Sequence, residues 1–281
     1  MTSNVYDSAP RASIDLDPYP HIVIENVIPE VDYKALEETF PTVEYIAGRE
    51  EITNNRSLLA DSDRVLADPK TPEPWRAFFE AHTQRSLFES AIKLWGEQIE
   101  KHHPGLEANF GKRLENFTTA RRSGKEKCEA NRRADIMLDC QFGSNAPVTA
   151  MSSTRGPHLD SGAKLFSSLV YFRTEDDDST GGEYELLRLK KGPFPRSKMK
   201  YIPEKYIESV KRIPYRRNTL LAWLNTRHSL HGVTPRSVTS IPRRYVAISG
   251  ECFTGARPFE FFSHYDEWDR PIERLRAKLK I

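Results

Sequence analysis

Two textures divide the chain. Between residues 29 and 102 apolar side chains recur at three- and four-residue spacing, most clearly at Leu87, Ala91, Leu94, Trp95 and Ile99. That period keeps them on one face of a helix, so the spacing predicts helices over 29–40, 75–82 and 86–102. Just upstream, His21-Ile-Val-Ile-Glu-Asn-Val27 has the β-branched character of a strand. Residues 1–18 are polar and proline-bearing, which predicts a flexible N-terminus with order beginning near Tyr19. From residue 134 the pattern shortens to brief runs of Val, Ile, Leu and aromatics broken by Gly, Pro, Ser and Asn. Strands are predicted over 134–142, 157–160, 165–174, 184–190, 219–224 and 243–251. They lack the regular intervening helices of a Rossmann or TIM architecture, so the expectation is a sandwich or barrel, mainly β with flanking helices. One more amphipathic helix is predicted near 266–278. The expected organisation is one domain over 19–281, with a helical part to 133, a β core over 134–251 and a C-terminal helix within 252–281.

Composition narrows the class. The 281 residues carry 42 Lys and Arg against 40 Asp and Glu, a net charge of +2, with 38% hydrophobic residues and a mean hydropathy of −0.63. This excludes a disordered polyelectrolyte, and no run approaches the roughly 18 apolar residues of a membrane span. The first ten residues lack the regions of a signal peptide, and Cys128, Cys140 and Cys252 are odd in number and widely spaced. A reducing cytoplasm is therefore expected. Among only 14 glycines there is no phosphate-cradling loop. Residues 112–133 are rich in Lys and Arg with few acids. They read as a solvated loop, or as a flap drawing in an anionic small-molecule substrate. Aromatics are too sparse there for nucleic-acid stacking. Asp176-Asp-Asp-Ser-Thr-Gly-Gly182 reads as a solvated turn without calcium-loop spacing.

The chemistry-bearing candidates begin with His158-Leu-Asp160, since residues i and i+2 of an extended segment point the same way and can present an imidazole and a carboxylate to one metal. With eight His and 15 Asp in the chain, such a tripeptide arises by chance roughly 0.4 times. A second copy stands at His264-Tyr-Asp266. A mononuclear non-haem iron site needs two histidines and one carboxylate on one face. Only the first copy has histidines downstream within the β region, His228 and His231, and His231 opens a strand as His231-Gly-Val-Thr-Pro. Arg243-Arg-Tyr-Val-Ala-Ile248 then begins a strand with two arginines that face opposite sides, and a guanidinium at a barrel rim can clamp a carboxylate bidentately.

Taken in order, Pro157-His-Leu-Asp160, Leu169-Val-Tyr-Phe-Arg173, Gly181-Gly-Glu-Tyr-Glu-Leu186, Leu220-Leu-Ala-Trp-Leu-Asn225, Ser229-Leu-His-Gly-Val-Thr-Pro235 and Arg244-Tyr-Val-Ala-Ile248 resemble the iron(II)- and 2-oxoglutarate-dependent oxygenases, particularly their prolyl-hydroxylase-like branch. The resemblance spans roughly residues 134–251. It implies a double-stranded β-helix, the jelly roll of the cupins, with His158, Asp160 and His231 as Fe(II) ligands. It also implies Arg244 on the distal carboxylate of 2-oxoglutarate, with Tyr171 beside it. The stretch 143–156 leaves the residue for the other end of 2-oxoglutarate unaligned, with Gln141 and Asn145 as the nearby candidates. The implied activity consumes molecular oxygen and 2-oxoglutarate to hydroxylate an unactivated C–H of a small polar metabolite, and Asp160 disfavours a halogenase. The competing readings are a noncatalytic jelly-roll module binding a sugar or small acid, a protein prolyl-type hydroxylase, and a metal-dependent hydrolase. The last would not require Arg244.

Overall fold

The computed structural model describes residues 3–9, 13–49, 54–122, 134–190, 202–255 and 257–262. The predicted helix at 266–278, the His264-x-Asp266 copy, Cys128 and residues 123–133 lie outside them. The strands are β1 (His21–Glu25), β2 (Ser57–Ala60), β3 (Thr119–Arg121), β4 (Ile136–Asn145), β5 (Lys164–Tyr171), β6 (Tyr184–Leu189), β7 (Ile207–Ile213), β8 (Thr219–Leu224), β9 (His231–Val233), β10 (Arg243–Thr254) and β11 (Arg257–Pro258). Helices α1 (Glu30–Glu38), α2 (Val43–Ala47), α3 (Ser62–Ala67), α4 (Glu73–Ala81), α5 (Arg85–His102) and α6 (Leu106–Phe110) precede the β core. The three predicted helices correspond to α1, α4 and α5, and the turn residues Thr42 and Asp61 cap α2 and α3 through their side chains.

The large sheet runs β1-β8-β5-β10-β4-β2, with β3 and β11 paired to β4 and β10, and the small sheet runs β7-β6-β9. The predicted strand 157–160 forms only a bridge, His158 to His231, at the edge of β9. From β4 onward the chain passes from the large sheet to this bridge, back to β5, across to β6 and β7, back to β8, across to β9 and back to β10. This alternation is the connectivity of a jelly roll, a double-stranded β-helix.

Residue parity divides the large sheet. Even-numbered Leu138, Cys140, Phe142, Phe166, Val170, Leu220, Ala222, Val246 and Ile248 belong to one core with Trp75, Phe78 and Phe79 of α4 and Leu87, Phe88, Leu94 and Trp95 of α5. Burial of that apolar face is what fixes the helices on the sheet. Odd-numbered Asp139, Gln141, Asn145, Ser167, Arg243, Tyr245 and Ser249 line a cavity of about 170 Å³ between the two sheets. Gly143 shares this inner face, where a Cβ would stand 2.1 Å from the Tyr245 ring, so glycine lets that ring lie flat across β4.

Two expectations change with the fold. Residues 3–9 are packed rather than loose: Val5 and Tyr6 are buried, the Val5 N–H donates to His82 Nε2 at 3.0 Å, and the Tyr6 ring meets Phe166 edge-on. Two apolar anchors suffice to dock a segment whose average composition is polar. In the acidic turn, Asp177 is buried against Arg236, which donates Nη2–H at 2.9 Å, with Arg173 at 3.6 Å. Period and composition carry no sign of a partner 59 residues away. The buried Cys140 and Cys252 are free, and burial pushes both thiols up. Among the described residues no helix is long and apolar enough to cross a membrane.

Candidate functional site

A candidate metal-ligating set gathers at the edge of the small sheet. The backbones of His158 and His231 exchange two hydrogen bonds, 2.8 and 3.0 Å, which set their side chains next to each other with ring centroids 4.3 Å apart. His158 Nδ1 lies 2.7 Å from the Gly156 carbonyl and His231 Nδ1 2.8 Å from the Ser229 carbonyl. A carbonyl only accepts, so each Nδ1 carries the proton and each Nε2 keeps its lone pair. Both Nε2 atoms point toward Asp160 Oδ1, at 3.8 and 3.9 Å. One ligand atom from each residue falls within 4.8 Å of the others, and all three residues are buried. Tyr184 stacks on His231 at 5.1 Å and Trp223 flanks it at 5.3 Å, holding the imidazole orientation.

Electrostatics keep this set in its ligating form. Burial pushes the His231 pKa down to about 4, and burial together with the neighbouring His231 and Arg155 pushes His158 lower still, so both imidazoles are neutral at pH 7. Burial alone would raise the Asp160 pKa, but the cationic neighbours, Lys164 first and then Arg155, outweigh it and hold the carboxylate ionised. Lys164 Nζ stands 3.4 Å and Arg155 Nη1 3.6 Å from its oxygens. Two neutral imidazoles and one carboxylate fit a divalent iron-type ion. His228 is exposed in the turn before β9 and outside the set.

The second feature of the cavity is an arginine, and it is Arg243. Its side chain is 3% exposed, with its guanidinium 4.8 Å from the Tyr171 and Tyr215 rings and 5.4 Å from Tyr245. Nη1 reaches Asn145 Oδ1 at 3.4 Å, while Nε and Nη2 make no hydrogen bond of ordinary geometry. Among the described residues no carboxylate pairs with it. Arg244, expected from the resemblance, projects to the opposite face: its Nε donates to the Phe172 carbonyl at 3.2 Å and its guanidinium lies over Phe40. The physical reason is the parity of β10, whose inner positions are Arg243, Tyr245, Ala247 and Ser249. Tyr171 is fully buried beside Arg243. Asn145 stands at the Arg243 end, donating to Thr154 Oγ1, and Gln141 lies between that end and Asp139, to which it donates at 2.7 Å.

No protein-family model matches the chain, and no curated protein sequence matches it. Solved structures do. A prolyl 4-hydroxylase from Phytophthora capsici aligns at 14% identity over 97% of this chain and 74% of its own, with a TM-score of 0.49. A Pseudomonas putida prolyl-4-hydroxylase aligns at 13% identity over 87% of this chain and 99% of its own, with a TM-score of 0.42. A Trichoplax adhaerens prolyl hydroxylase, solved with a hypoxia-inducible-factor peptide fragment, aligns at 12% identity over 86% and 89%, with a TM-score of 0.44. At these values the weight rests on the cavity itself.

Sequence reasoning did not single out Asp139, Glu251 or Lys164, which gather at the other end of the cavity with Arg122, a residue legible only as part of the basic stretch 112–133. Asp139 is 3% exposed, and Arg122 bridges Asp139 at 3.6 Å and Glu251 at 2.9 Å. The available signal was parity, since Asp139 and Gln141 are polar at alternate positions of an otherwise apolar strand. Within the basic stretch 112–133, the described Lys112, Arg113, Arg121 and Arg122 each pair with a carboxylate, which removes the anion-attracting flap for that part.

Proposed function

We propose that the protein is an Fe(II)- and 2-oxoglutarate-dependent oxygenase that hydroxylates a C–H bond of a small polar molecule. The observation that supports this most is the buried Arg243, without a carboxylate partner, in the same cavity as two neutral imidazoles and an ionised carboxylate. A buried guanidinium without a charged partner among the described residues is costly, which supports a site built to receive an anion there. A dicarboxylate cosubstrate supplies one.

In this reading His158, Asp160 and His231 would hold the iron, which with oxygen and 2-oxoglutarate would supply the oxidising chemistry, with succinate and carbon dioxide as co-products. The chain contributes the rest. Arg243 clamps the distal carboxylate of 2-oxoglutarate, with the Tyr171, Tyr215 and Tyr245 rings screening the pair from water and so strengthening it. The carbonyls of Gly156 and Ser229 fix both imidazole tautomers. Lys164 and Arg155 hold Asp160 deprotonated. A cation clamp for a second carboxylate is a feature that a metal-dependent hydrolase does not need.

The test is succinate formation from 2-oxoglutarate by the purified full chain with Fe(II), against a metal-free control, with and without a metabolite extract. Iron-dependent succinate, together with a +16 mass change in a component of the extract, is expected. No iron-dependent succinate under either condition would turn the assignment to a noncatalytic binding module.

A further inference from the structure

The inner face of β4 has two poles. At one end Asn145 lies opposite Arg243, and six residues away, about 20 Å along the strand, Asp139 lies opposite Ser249. Ser249 lies opposite Ser167, whose hydroxyl is 3.4 Å from Asp160 Oδ2. The Asp139 pole is therefore level with Asp160 and at the opposite end of the inner face from Arg243, where a substrate would sit if 2-oxoglutarate occupied the Arg243 end.

Asp139 and Glu251, both buried, share the guanidinium of Arg122, while Lys164 and Arg155 both direct their charges to Asp160. Asp139 Oδ2 accepts from Gln141 Nε2 at 2.7 Å and faces Arg122, whereas Oδ1 is buried and has no hydrogen-bond partner among the described residues. Asp139, Arg122 and Gln141 all line the cavity. A buried carboxylate oxygen left without a donor costs free energy that a ligand donor would recover. Consistent with that unmet demand, burial raises the Asp139 pKa to about 6, against the pull of Arg122.

We propose that the Asp139 pole is the substrate subsite and that it takes a protonated nitrogen base, an ammonium or guanidinium group, with Asp139 Oδ1 as hydrogen-bond acceptor. The subsite rests on the oxygenase reading only in calling its ligand a substrate. Gln141 and Arg122 keep the Asp139 carboxylate turned toward that group.

Binding without turnover tests this. Matched probes are titrated calorimetrically into the full chain: n-butylguanidinium against its neutral isostere n-butylurea, and n-butylammonium against 1-butanol. Each cation is expected to bind about tenfold or more tightly than its neutral partner, because a charge-assisted hydrogen bond exceeds a neutral one by about that factor. In Asp139→Asn, which keeps the shape and removes the charge, the preference should vanish while neutral probes bind as before. Equal affinity for charged and neutral partners in the wild-type protein overturns the proposal, and that comparison needs no variant to fold. Undiminished cation binding in Asp139→Asn also overturns it, leaving Asp139 as a structural partner of Gln141 and Arg122. Cation preference without iron-dependent succinate would discard the oxygenase reading and keep the subsite; succinate without cation preference would do the reverse.

Discussion

At the scale of single residues, the decisive side chains are those whose chemistry is incomplete within the protein. Arg243 is buried without a counter-charge among the described residues, and in the proposed reading removing it should abolish a charge-assisted pair worth on the order of 2–5 kcal/mol, roughly 30- to several-thousand-fold in 2-oxoglutarate affinity. Arg243→Ala is expected to raise the 2-oxoglutarate requirement by that factor with metal binding retained, read by titration of the Mn(II)-loaded protein. Arg244→Ala should leave that affinity unchanged and lower stability by about 1 kcal/mol, through the lost hydrogen bond to Phe172 and the contact with Phe40. Equal effects of the two substitutions would contradict the inward assignment of Arg243. For the metal, His231→Ala should eliminate high-affinity Fe(II) binding, and His228→Ala, outside the ligand set, should leave it intact; equilibrium dialysis with metal analysis decides between them. The sequence showed that one arginine of the pair faces in, but choosing between neighbours required knowing which face of β10 meets the cavity.

At the scale of elements, helix α4 and the N-terminal segment are joined through His82. Its Nδ1–H donates to the Phe78 carbonyl at 2.7 Å and its Nε2 accepts the Val5 N–H, a pattern that only the neutral ring satisfies. Burial accordingly lowers its pKa from 6.5 to about 4. The unfolded chain takes up this proton at a higher pH than the folded one does, so the folded state loses stability as pH falls from about 6.5 toward 4, by up to about 3 kcal/mol from this group. His82→Gln should remove one proton's share of that slope, measured by urea unfolding at pH 7 and pH 4.5. An unchanged slope would show that His82 titrates in the fold as it does in the unfolded chain. The helices themselves were legible in three- and four-residue spacing because each buries one stripe on the sheet. The docking of residues 3–9 was not, since it depends on Val5 and Tyr6 finding His82 and Phe166, far along the chain.

At the scale of the whole molecule, the two sheets are tied at one end by a buried ion pair. Arg236 follows β9 of the small sheet and Asp177 follows β5 of the large one, and both side chains are almost fully buried. Removing one partner strands the other charge, so Asp177→Ala should cost about 3–5 kcal/mol. Asp176→Ala, at an exposed position one residue away, should stay within about 0.5 kcal/mol. Chemical denaturation of the two variants checks this, and equal losses would mean that the turn as a whole, rather than the pair, closes the sandwich.

The sequence by itself determined the class of fold and pointed to the candidate site. Short alternating strands bounded by Gly, Pro and Asn admit few architectures, and His158-Leu-Asp160 in an extended segment sets an imidazole and a carboxylate on one side, to which the resemblance to the oxygenases added His231. Tertiary structure decided what depends on pairing between distant segments. It decided that 157–160 is a single bridge rather than a strand, that Arg243 rather than Arg244 faces the cavity, that Asp177 is buried, and that Asp139, Arg122 and Glu251 form one pole. Local periodicity reports which residues share a face. Which face is enclosed, and which charges meet there, is fixed only when strands from opposite ends of the chain pair in register.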